Sequence, residues 1–216
     1  MIANLIFGLP GQQPGGLALT LITAAGSAAC ALVLGTVYAT ICVEAPRASL
    51  GLQAALAVLR GVPLVLLVFL LAQATPLPLP LAGFLALAIY SLCHVGESLR
   101  SFLASYPAIR RDQARLMGLG FLEELYALRL PWTARSSINA VGTHWISLLK
   151  DTGALTVLGI SELTTVARVL SERASLSDWG LTLATAAGLY LGTTVVLIRV
   201  LEVARQRWWS EGLVGT

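Results

Sequence analysis

Residues 112–131 read DQARLMGLGFLEELYALRLP, and this stretch decides how the rest of the chain is interpreted. It is one of the few charged runs in a chain that otherwise consists of long apolar stretches, and two such stretches flank it. A charged, amphipathic segment in that position is where a membrane protein would meet a soluble partner. Its internal order rests on seven residues, namely Asp112, Gln113, Ala114, Gly118, Leu128, Leu130 and Pro131.

Composition places the chain in a class before any motif does. Of its 216 residues, 56% are hydrophobic and only 12% are charged, and the mean hydropathy is +0.80. These values lie well outside the averages for soluble domains, so we predict an all-α polytopic membrane protein. A chain of this length supplies about five spans of roughly 20 residues and one modest loop. Residues 1–216 are therefore expected to form a single transmembrane domain.

The predicted spans follow from the apolar stretches, which cover residues 17–42, 61–74, 81–105, 138–149 and 181–198. The stretch 138–149 is short for a full crossing and ends at Lys150 and Asp151, so we interpret it as a helix broken near the middle of the membrane. Residues 152–160 would then be a buried, partly irregular stretch, followed by a polar outer segment over 161–178. Broken helices at depth usually line a substrate path, because only a cavity or protein contacts can satisfy the freed backbone groups.

The positive charges predict the orientation of the chain in the membrane. By the positive-inside rule, the side that carries most of the arginines is cytoplasmic, so the N-terminus is outside and the C-terminus inside. Residues 1–16 contain no Lys or Arg, and we therefore do not expect a cleavable signal peptide. The arginines on the cytoplasmic side are Arg47, Arg60, Arg110, Arg111, Arg115, Arg129, Arg135, Arg199, Arg205 and Arg207.

Several kinds of chemistry have no motif in this sequence. There is no GxxxxGK[ST] phosphate loop, no HExxH, GxSxG or CxxC pattern, and only two histidines. We therefore expect no cofactor or metal in this chain and no enzymatic activity of its own. Cys30, Cys42 and Cys93 lie in apolar stretches and are interpreted as packing residues. The net charge of +3 fits the inner membrane face and gives no support to nucleic-acid binding.

The charged stretch resembles the cytoplasmic "EAA" loop of bacterial ABC importer permeases. In that family the pattern reads Glu-Ala-Ala, three residues, Gly, nine residues, Ile, one residue, Leu-Pro. This chain keeps every interval and departs only in residue type, with Asp112 for Glu, Gln113 for the first Ala and Leu128 for Ile. The alternative is an ordinary surface helix between two spans.

The resemblance extends over nearly the whole chain and narrows to importers of polar amino acids. Arg60, Gly61, Pro63 and Leu64 resemble an "RGTPL" block, and Glu97 and Arg100 resemble "AExxRG". Four residues depart from these blocks, namely Val62, Leu67, Gly96 and Ser101. A third block is close to the family's "LLKDTSLASVIGxAEL" and consists here of Leu148, Leu149, Lys150, Asp151, Thr152, Val157, Gly159, Glu162 and Leu163.

This resemblance implies a type I ABC importer permease fold and a set of partners. Residues 107–131 would be the coupling loop, with a helix from Asp112 to Tyr126 that presents Leu116, Leu119, Leu122 and Leu125 to a dimer of ABC ATPase subunits. Those subunits would bind ATP and Mg. A second permease subunit, identical or paralogous, and a periplasmic or lipid-anchored amino-acid-binding protein would complete the assembly, in the lipid of the bacterial inner (cytoplasmic) membrane.

Ionisable residues inside spans mark the candidate substrate site, because they are costly at mid-bilayer without a partner or a path. Lys150 and Asp151 could flank a zwitterion at the helix break, with the carboxylate holding the ammonium group. A structural pair that holds the break in place is the alternative. Glu97 could face the cavity, or form only a structural ion pair with Arg100, three residues on. His144 could face the same cavity or be a packed residue, and Thr152 and Glu162 complete the candidate set.

Two alternatives to this function remain open at the level of sequence, and one hypothesis concerns the role of this chain within it. The substrate of an ABC permease could be an opine, a sulfur compound or another small zwitterion, because fold analogy does not determine the ligand. The chain could also be an ATP-independent channel or secondary transporter, although that class should carry repeated broken helices and no coupling loop. Val62 and Leu67 lower the polarity of the second span, which suggests the less substrate-engaged half of a heterodimer.

Overall fold

The computed structural model describes residues 1–11, 14–173 and 178–212, and helices make up most of these ranges. A π-helical segment, Leu125–Arg129, and a 3₁₀ segment, Thr152–Leu158, complete the regular structure. The helices are α1 Ile2–Phe7, α2 Gly16–Glu44, α3 Leu50–Arg60, α4 Leu64–Ala74, α5 Leu79–Ala104, α6 Ala108–Leu116, α7 Phe121–Glu124, α8 Leu130–Asp151, α9 Leu163–Arg173 and α10 Asp178–Gly212.

Among the described residues, three helices are long and apolar enough to cross a membrane by themselves: α2, α5 and α10. The pair α3–α4 would supply a fourth span if it is counted as one. Helix α8 has 22 residues, which is enough to span, but it is not apolar enough to be counted. The all-α, multi-pass membrane architecture is confirmed, and the number of about five spans remains a prediction.

A separate helix, α3, precedes the second predicted span. Helices α3 and α4 are bent by 108° at the break that contains Gly61, Val62 and Pro63. Pro63 occupies the N-cap position of α4, where its missing N–H costs nothing. The span therefore begins at Leu64, three residues later than the sequence suggested.

Helices α2 and α5 are brought into close contact by glycine. A Cβ atom added to Gly35 on α2 would lie 3.1 Å from the Cα atom of Gly96 on α5, so the two backbones touch directly. Small residues at such crossings let helices pack closely where lipid offers no hydrophobic driving force. Buried Ala31, Val95 and Leu99 continue the contact and meet Val141 of α8.

The broken helix differs in part from its predicted course. The α-helix ends at Asp151, where the sequence placed the break, and continues as the 3₁₀ segment up to Gly159, whose φ of 70° closes it. It begins at Leu130, however, not near Ile138, because Pro131 fits the first turn of a helix and the polar residues Thr133 and Ser137 are buried against the bundle.

The segment after the break is more buried than predicted. Instead of a purely polar outer stretch, α9 packs Leu163, Val166 and Ala167 against Leu5 of α1, which is fully buried. The Gly16 N–H donates to the Ser161 carbonyl over 2.7 Å and joins the start of α2 to this region. The apolar positions of α9 recur at helical spacing, a signal that the sequence already contained.

Candidate functional site

The coupling segment, residues 107–131, is built from two short helices and not from the single helix expected over Asp112–Tyr126. Helix α6 ends at Leu116, and α7 does not begin until Phe121. Gly118 lies between them with a φ of 77°, a conformation that favours glycine, and no atom of the described residues lies within 4 Å of where its Cβ would be. The glycine thus turns the chain, and the prediction of one continuous helix was wrong.

A group of exposed apolar and aromatic side chains, the apolar ridge, lies at this turn. Five large apolar or aromatic side chains are exposed by 49 to 88%, namely Leu116, Met117, Phe121, Leu122 and Tyr126. The predicted docking residue Leu125 is instead buried, and Leu119 is half-buried. The ridge therefore forms at the turn and is not a stripe along one helix.

The other predicted coupling residues divide between surface and interior. Asp112, Gln113, Gly118 and Pro131 are exposed, and Leu128 and Leu130 are half-buried. Ala114 is fully buried, which explains why a small residue is needed there. The motif therefore combines residues that shape the segment with residues that are open to a partner.

One ion pair attaches the coupling segment to the helix bundle, and a second joins its two short helices to each other. Arg129 Nη2 lies 2.5 Å from Glu44 Oε1 at the end of α2, and the Arg129 side chain is 2% exposed. Arg111 of α6 and Glu124 of α7 form a looser pair, with Nε and Oε1 3.7 Å apart. Tyr106 and Trp132 pack edge to face with ring centroids 5.5 Å apart, which adds a contact between the end of α5 and the start of α8.

Glu97 and Arg100 form the predicted ion pair on α5. Arg100 Nε donates to Glu97 Oε2 over 3.0 Å, and the Tyr38 hydroxyl of α2 donates to the same oxygen over 3.3 Å. Both charged side chains remain about 30% exposed. The pair can therefore brace α2 against α5 while part of each charged side chain stays exposed.

A polar stripe runs along α5 through Tyr90, His94 and Glu97. These residues are spaced four and three apart, so they share one face of the helix. The Tyr90 and His94 rings lie 4.5 Å apart between centroids, and His94 Nδ1 donates to the Tyr90 carbonyl over 2.9 Å. Of these three residues only Glu97 was predicted from the sequence, although the helical spacing also places Tyr90 and His94 on the same face.

His144 of α8 joins this stripe. Its ring stacks on that of His94, with centroids 5.1 Å apart and planes 9° from parallel, and its Nε2 is hydrogen bonded to Ser91 Oγ over 3.0 Å. His144 therefore packs against α5, and it also belongs to the polar surface that the stripe forms. The two helices on which the sequence placed candidate residues meet at this point.

Lys150 and Asp151 lie at the last turn of α8, near the same surface. Lys150 is exposed and Asp151 half-buried, and no ion pair of either residue occurs within the described ranges. The Asp151 carboxylate lies within electrostatic range of both Lys150 and His94. Lys150 and Asp151 therefore interact at a distance without forming a close ion pair.

Glu162 and Thr152 are placed differently from the other candidates, since both are fully buried. The Glu162 carboxylate accepts hydrogen bonds from the N–H groups of Thr164 and Thr165 and from the Tyr190 hydroxyl, at 2.7 to 3.0 Å. It acts as the N-terminal cap of α9. The Thr152 hydroxyl donates to the Leu149 carbonyl over 2.9 Å. Neither residue is open to a substrate in this conformation.

Two apolar cavities lie elsewhere in the bundle. They have volumes of about 740 and 320 Å³, lie between α2, α8 and α10, with α5 also lining the smaller one, and share Leu32 and Trp145 as lining residues. None of the predicted substrate residues lines either of them. A small zwitterion needs charged or polar groups to replace its hydration, so the polar stripe is the better candidate site.

Curated proteins with similar sequences are permeases of amino-acid and octopine transporters. The probable glutamine ABC transporter permease GlnP of Bacillus subtilis is 29% identical over 122 residues, which cover 54% of this chain and 56% of that protein. The arginine ABC transporter permease ArtQ of Escherichia coli is 24% identical over 43% of this chain and 39% of its own length. The octopine permease OccQ of Rhizobium meliloti is 27% identical over 88% of this chain and 86% of its own length. The chain thus spans about half the length of the first curated relatives that it matches, and no protein-family model matches it.

Solved structures show the same fold. An amino acid ABC transporter determined with histidines matches with a TM-score of 0.75 and 22% identity, over 89% of this chain and 92% of that one. The inward-facing MetNI methionine ABC transporter matches with a TM-score of 0.69 and 16% identity, over 88% of this chain and 90% of that one. The predicted resemblance is therefore confirmed: the chain has the fold of an ABC transporter permease, and several of its curated relatives are amino-acid ABC transporter permeases.

Proposed function

We propose that this chain is a transmembrane permease subunit of an ATP-driven ABC importer that moves polar L-amino acids across the bacterial inner membrane. The observation that carries the proposal is the coupling segment. It keeps every interval of the family's pattern and exposes an apolar ridge at the turn between two short helices. An exposed apolar patch on a cytoplasmic loop needs a partner to cover it.

The partner that fits this ridge is a dimer of ABC ATPase subunits. Helical segments with exposed apolar side chains dock into grooves of partner proteins. The sequence has no phosphate loop of its own, so ATP and Mg would be bound by those subunits. The chain would transmit movement and break no bond, and it would hold no cofactor. A second permease subunit and an amino-acid-binding protein at the outer face complete the proposed assembly.

The polar stripe and the end of α8 supply the proposed substrate path. Asp151 would pair with the ammonium group of an amino acid, and Lys150 with its carboxylate, because a buried zwitterion needs opposite charges to replace its water shell. Tyr90, His94, His144 and Glu97 would line the path next to them. Movement of the coupling segment would open this surface alternately to the two sides of the membrane.

Uptake by proteoliposomes tests the proposal. The chain, its co-expressed second permease and its ATPase would be reconstituted together, with the binding protein outside and ATP inside. We expect ATP-dependent accumulation of a polar amino acid such as glutamine or arginine. Uptake that needs no ATP would instead support a channel or secondary transporter.

An opine is the second candidate substrate, because the match to the octopine permease extends over 88% of this chain. Octopine carries an amino-acid backbone, so Lys150 and Asp151 suit it as well. Competition separates the two classes: excess octopine should leave uptake of the amino acid unchanged if the amino acid is the true substrate. Preferential accumulation of octopine would favour the second candidate.

A further inference from the structure

The contact between Glu44 and Arg129 joins parts of the chain that are far apart in sequence. Glu44 is the last residue of α2, and Arg129 is the last residue of the π-helical segment, 85 positions later. Their side chains meet over 2.5 Å between Glu44 Oε1 and Arg129 Nη2. The pair therefore connects the first long span directly to the coupling segment.

The burial of this pair is unequal and its hydrogen bonding is incomplete. The Arg129 side chain is 2% exposed, whereas that of Glu44 is 32% exposed. Among the described residues, Arg129 Nε is buried without a hydrogen-bond partner, as are Arg111 Nε and Glu124 Oε1 in the neighbouring pair. Buried polar atoms are nearly always satisfied in proteins, and these last two atoms face each other at 3.7 Å, so a small movement of the segment would change its hydrogen bonding.

The backbone at this point is also unusual. Residues Leu125–Arg129 form a π-helical turn between α7 and α8. Such turns are rare and often occur at functional sites, since they insert an extra residue into a helix. The turn directs Arg129 into the interior and toward α2, while Tyr126 remains exposed on the outer side.

We propose that the Glu44–Arg129 ion pair is the contact through which movement of the coupling segment reaches α2. Glu44 and Arg129 are then positioning residues for transport, because they touch neither substrate nor ATP. The covalent path leads from the coupling segment into α5 at one end and into α8 at the other, and the ion pair adds a direct side-chain link to α2, which packs closely on α5. All three helices would consequently move together. This inference rests on the proposed function.

Neutralising the pair tests this role. In the reconstituted complex of all subunits, Glu44→Gln removes the charge of the more exposed partner and keeps the shape of the side chain. We expect the complex to assemble with a normal amount of ATPase and to hydrolyse ATP. The coupling ratio is the number of substrate molecules taken up per ATP hydrolysed. We expect it to fall about tenfold, which is within the range of effects that mutations along a coupling network have.

A matched control is available at the cytoplasmic end of α10. Glu202 forms an exposed pair with Arg199, with Oε2 3.0 Å from Nη1, and lies outside the coupling segment. Glu202→Gln makes the same chemical change and should leave the coupling ratio at the value of the unmodified complex. The double variant Glu44→Arg with Arg129→Glu reverses the pair and should restore most of the lost coupling.

The outcomes separate this inference from the proposed function. An unchanged coupling ratio in the Glu44→Gln complex would overturn the inference, as would loss of the ATPase from that complex, because the pair would then serve docking only. If Glu44→Gln does not fold, the reversed pair decides: a folded but uncoupled double variant would also overturn it. Failure of the unmodified complex to couple ATP hydrolysis to uptake would instead contradict the proposed function itself.

Discussion

Single residues differ in how far their chemistry could be deduced from the sequence. The Glu97–Arg100 pair follows from a spacing of three on a helix, and the structure contains it. The capping role of Glu162 could not be deduced, because it depends on where α9 begins and on Tyr190 from a distant helix. His94 was not predicted because a lone histidine in an apolar stretch is not distinctive by itself, and only its spacing from Glu97 places it on the same face of α5.

Glu162→Gln should destabilise the protein without altering substrate selection. An amide cannot accept all the hydrogen bonds that the carboxylate accepts from Thr164, Thr165 and Tyr190, so a buried donor is left unpaired at a cost of about 1–3 kcal/mol. Thermal unfolding of the purified chain measures the loss. Glu172→Gln, an exposed acid on the same helix, serves as the control and should leave the melting temperature in place. A stable Glu162→Gln protein with impaired substrate binding would show that the residue contacts substrate instead.

Asp151→Asn should weaken uptake and leave the protein stable. The carboxylate has no ion-pair partner within the described residues, so the fold loses little when its charge is removed. A charge-assisted hydrogen bond to a substrate ammonium is worth about 1.5–3 kcal/mol, which corresponds to roughly a 10- to 100-fold higher substrate concentration for half-maximal uptake. Uptake titrations in proteoliposomes measure this concentration. An unchanged titration would remove Asp151 from the substrate path.

At the scale of elements, the sequence predicted helices where hydrophobic stretches are long and failed where backbone geometry decides. Helices α2 and α5 begin and end within two residues of their predicted limits. The coupling segment was expected to be one helix because its apolar residues recur at helical spacing. Gly118 breaks that helix through a positive φ, and no hydrophobic pattern records a backbone angle.

Gly118→Asp should disconnect the ATPase while membrane insertion stays intact. The site is open, so no clash prevents folding, but the new residue must adopt a left-handed conformation at a cost of about 1–2 kcal/mol and places a charge beside the apolar ridge. Co-purification of the ATPase measures docking. Gly51→Asp introduces the same charge at another open position and should have no effect. Normal transport by Gly118→Asp would refute the docking role of this turn.

Gly96→Leu should separate α2 from α5. A Cβ at this position would already lie 3.0 Å from Tyr38 Cδ1, so a larger side chain must displace the helix at a cost of about 1–3 kcal/mol. Gly188→Leu is the matched control, because no atom lies within 4 Å of its Cβ position. Thermal unfolding should show a lower melting temperature for the first variant only. Equal melting temperatures for the two variants would contradict the close packing of α2 on α5 at Gly96.

At the scale of the whole molecule, composition and motif order were sufficient for class and fold. A mean hydropathy of +0.80 indicated a membrane protein, and the intervals of residues 112–131 indicated the fold of an ABC permease, which the structural match with a TM-score of 0.75 confirms. The packing of α1 and α9 could not be predicted, because it depends on contacts between residues more than 150 positions apart. The identity of the substrate depends in the same way on side chains from several helices that meet only in the folded assembly.

ATP hydrolysis by the assembled transporter tests the central claim most directly. The chain would be co-purified in lipid with the second permease and the ATPase, and hydrolysis would be followed with the binding protein present while single amino acids are added in turn. The account predicts that the ATPase co-purifies and that one class of polar amino acid stimulates hydrolysis selectively. A chain that binds no ATPase, or an ATPase that responds to no amino acid, would contradict it.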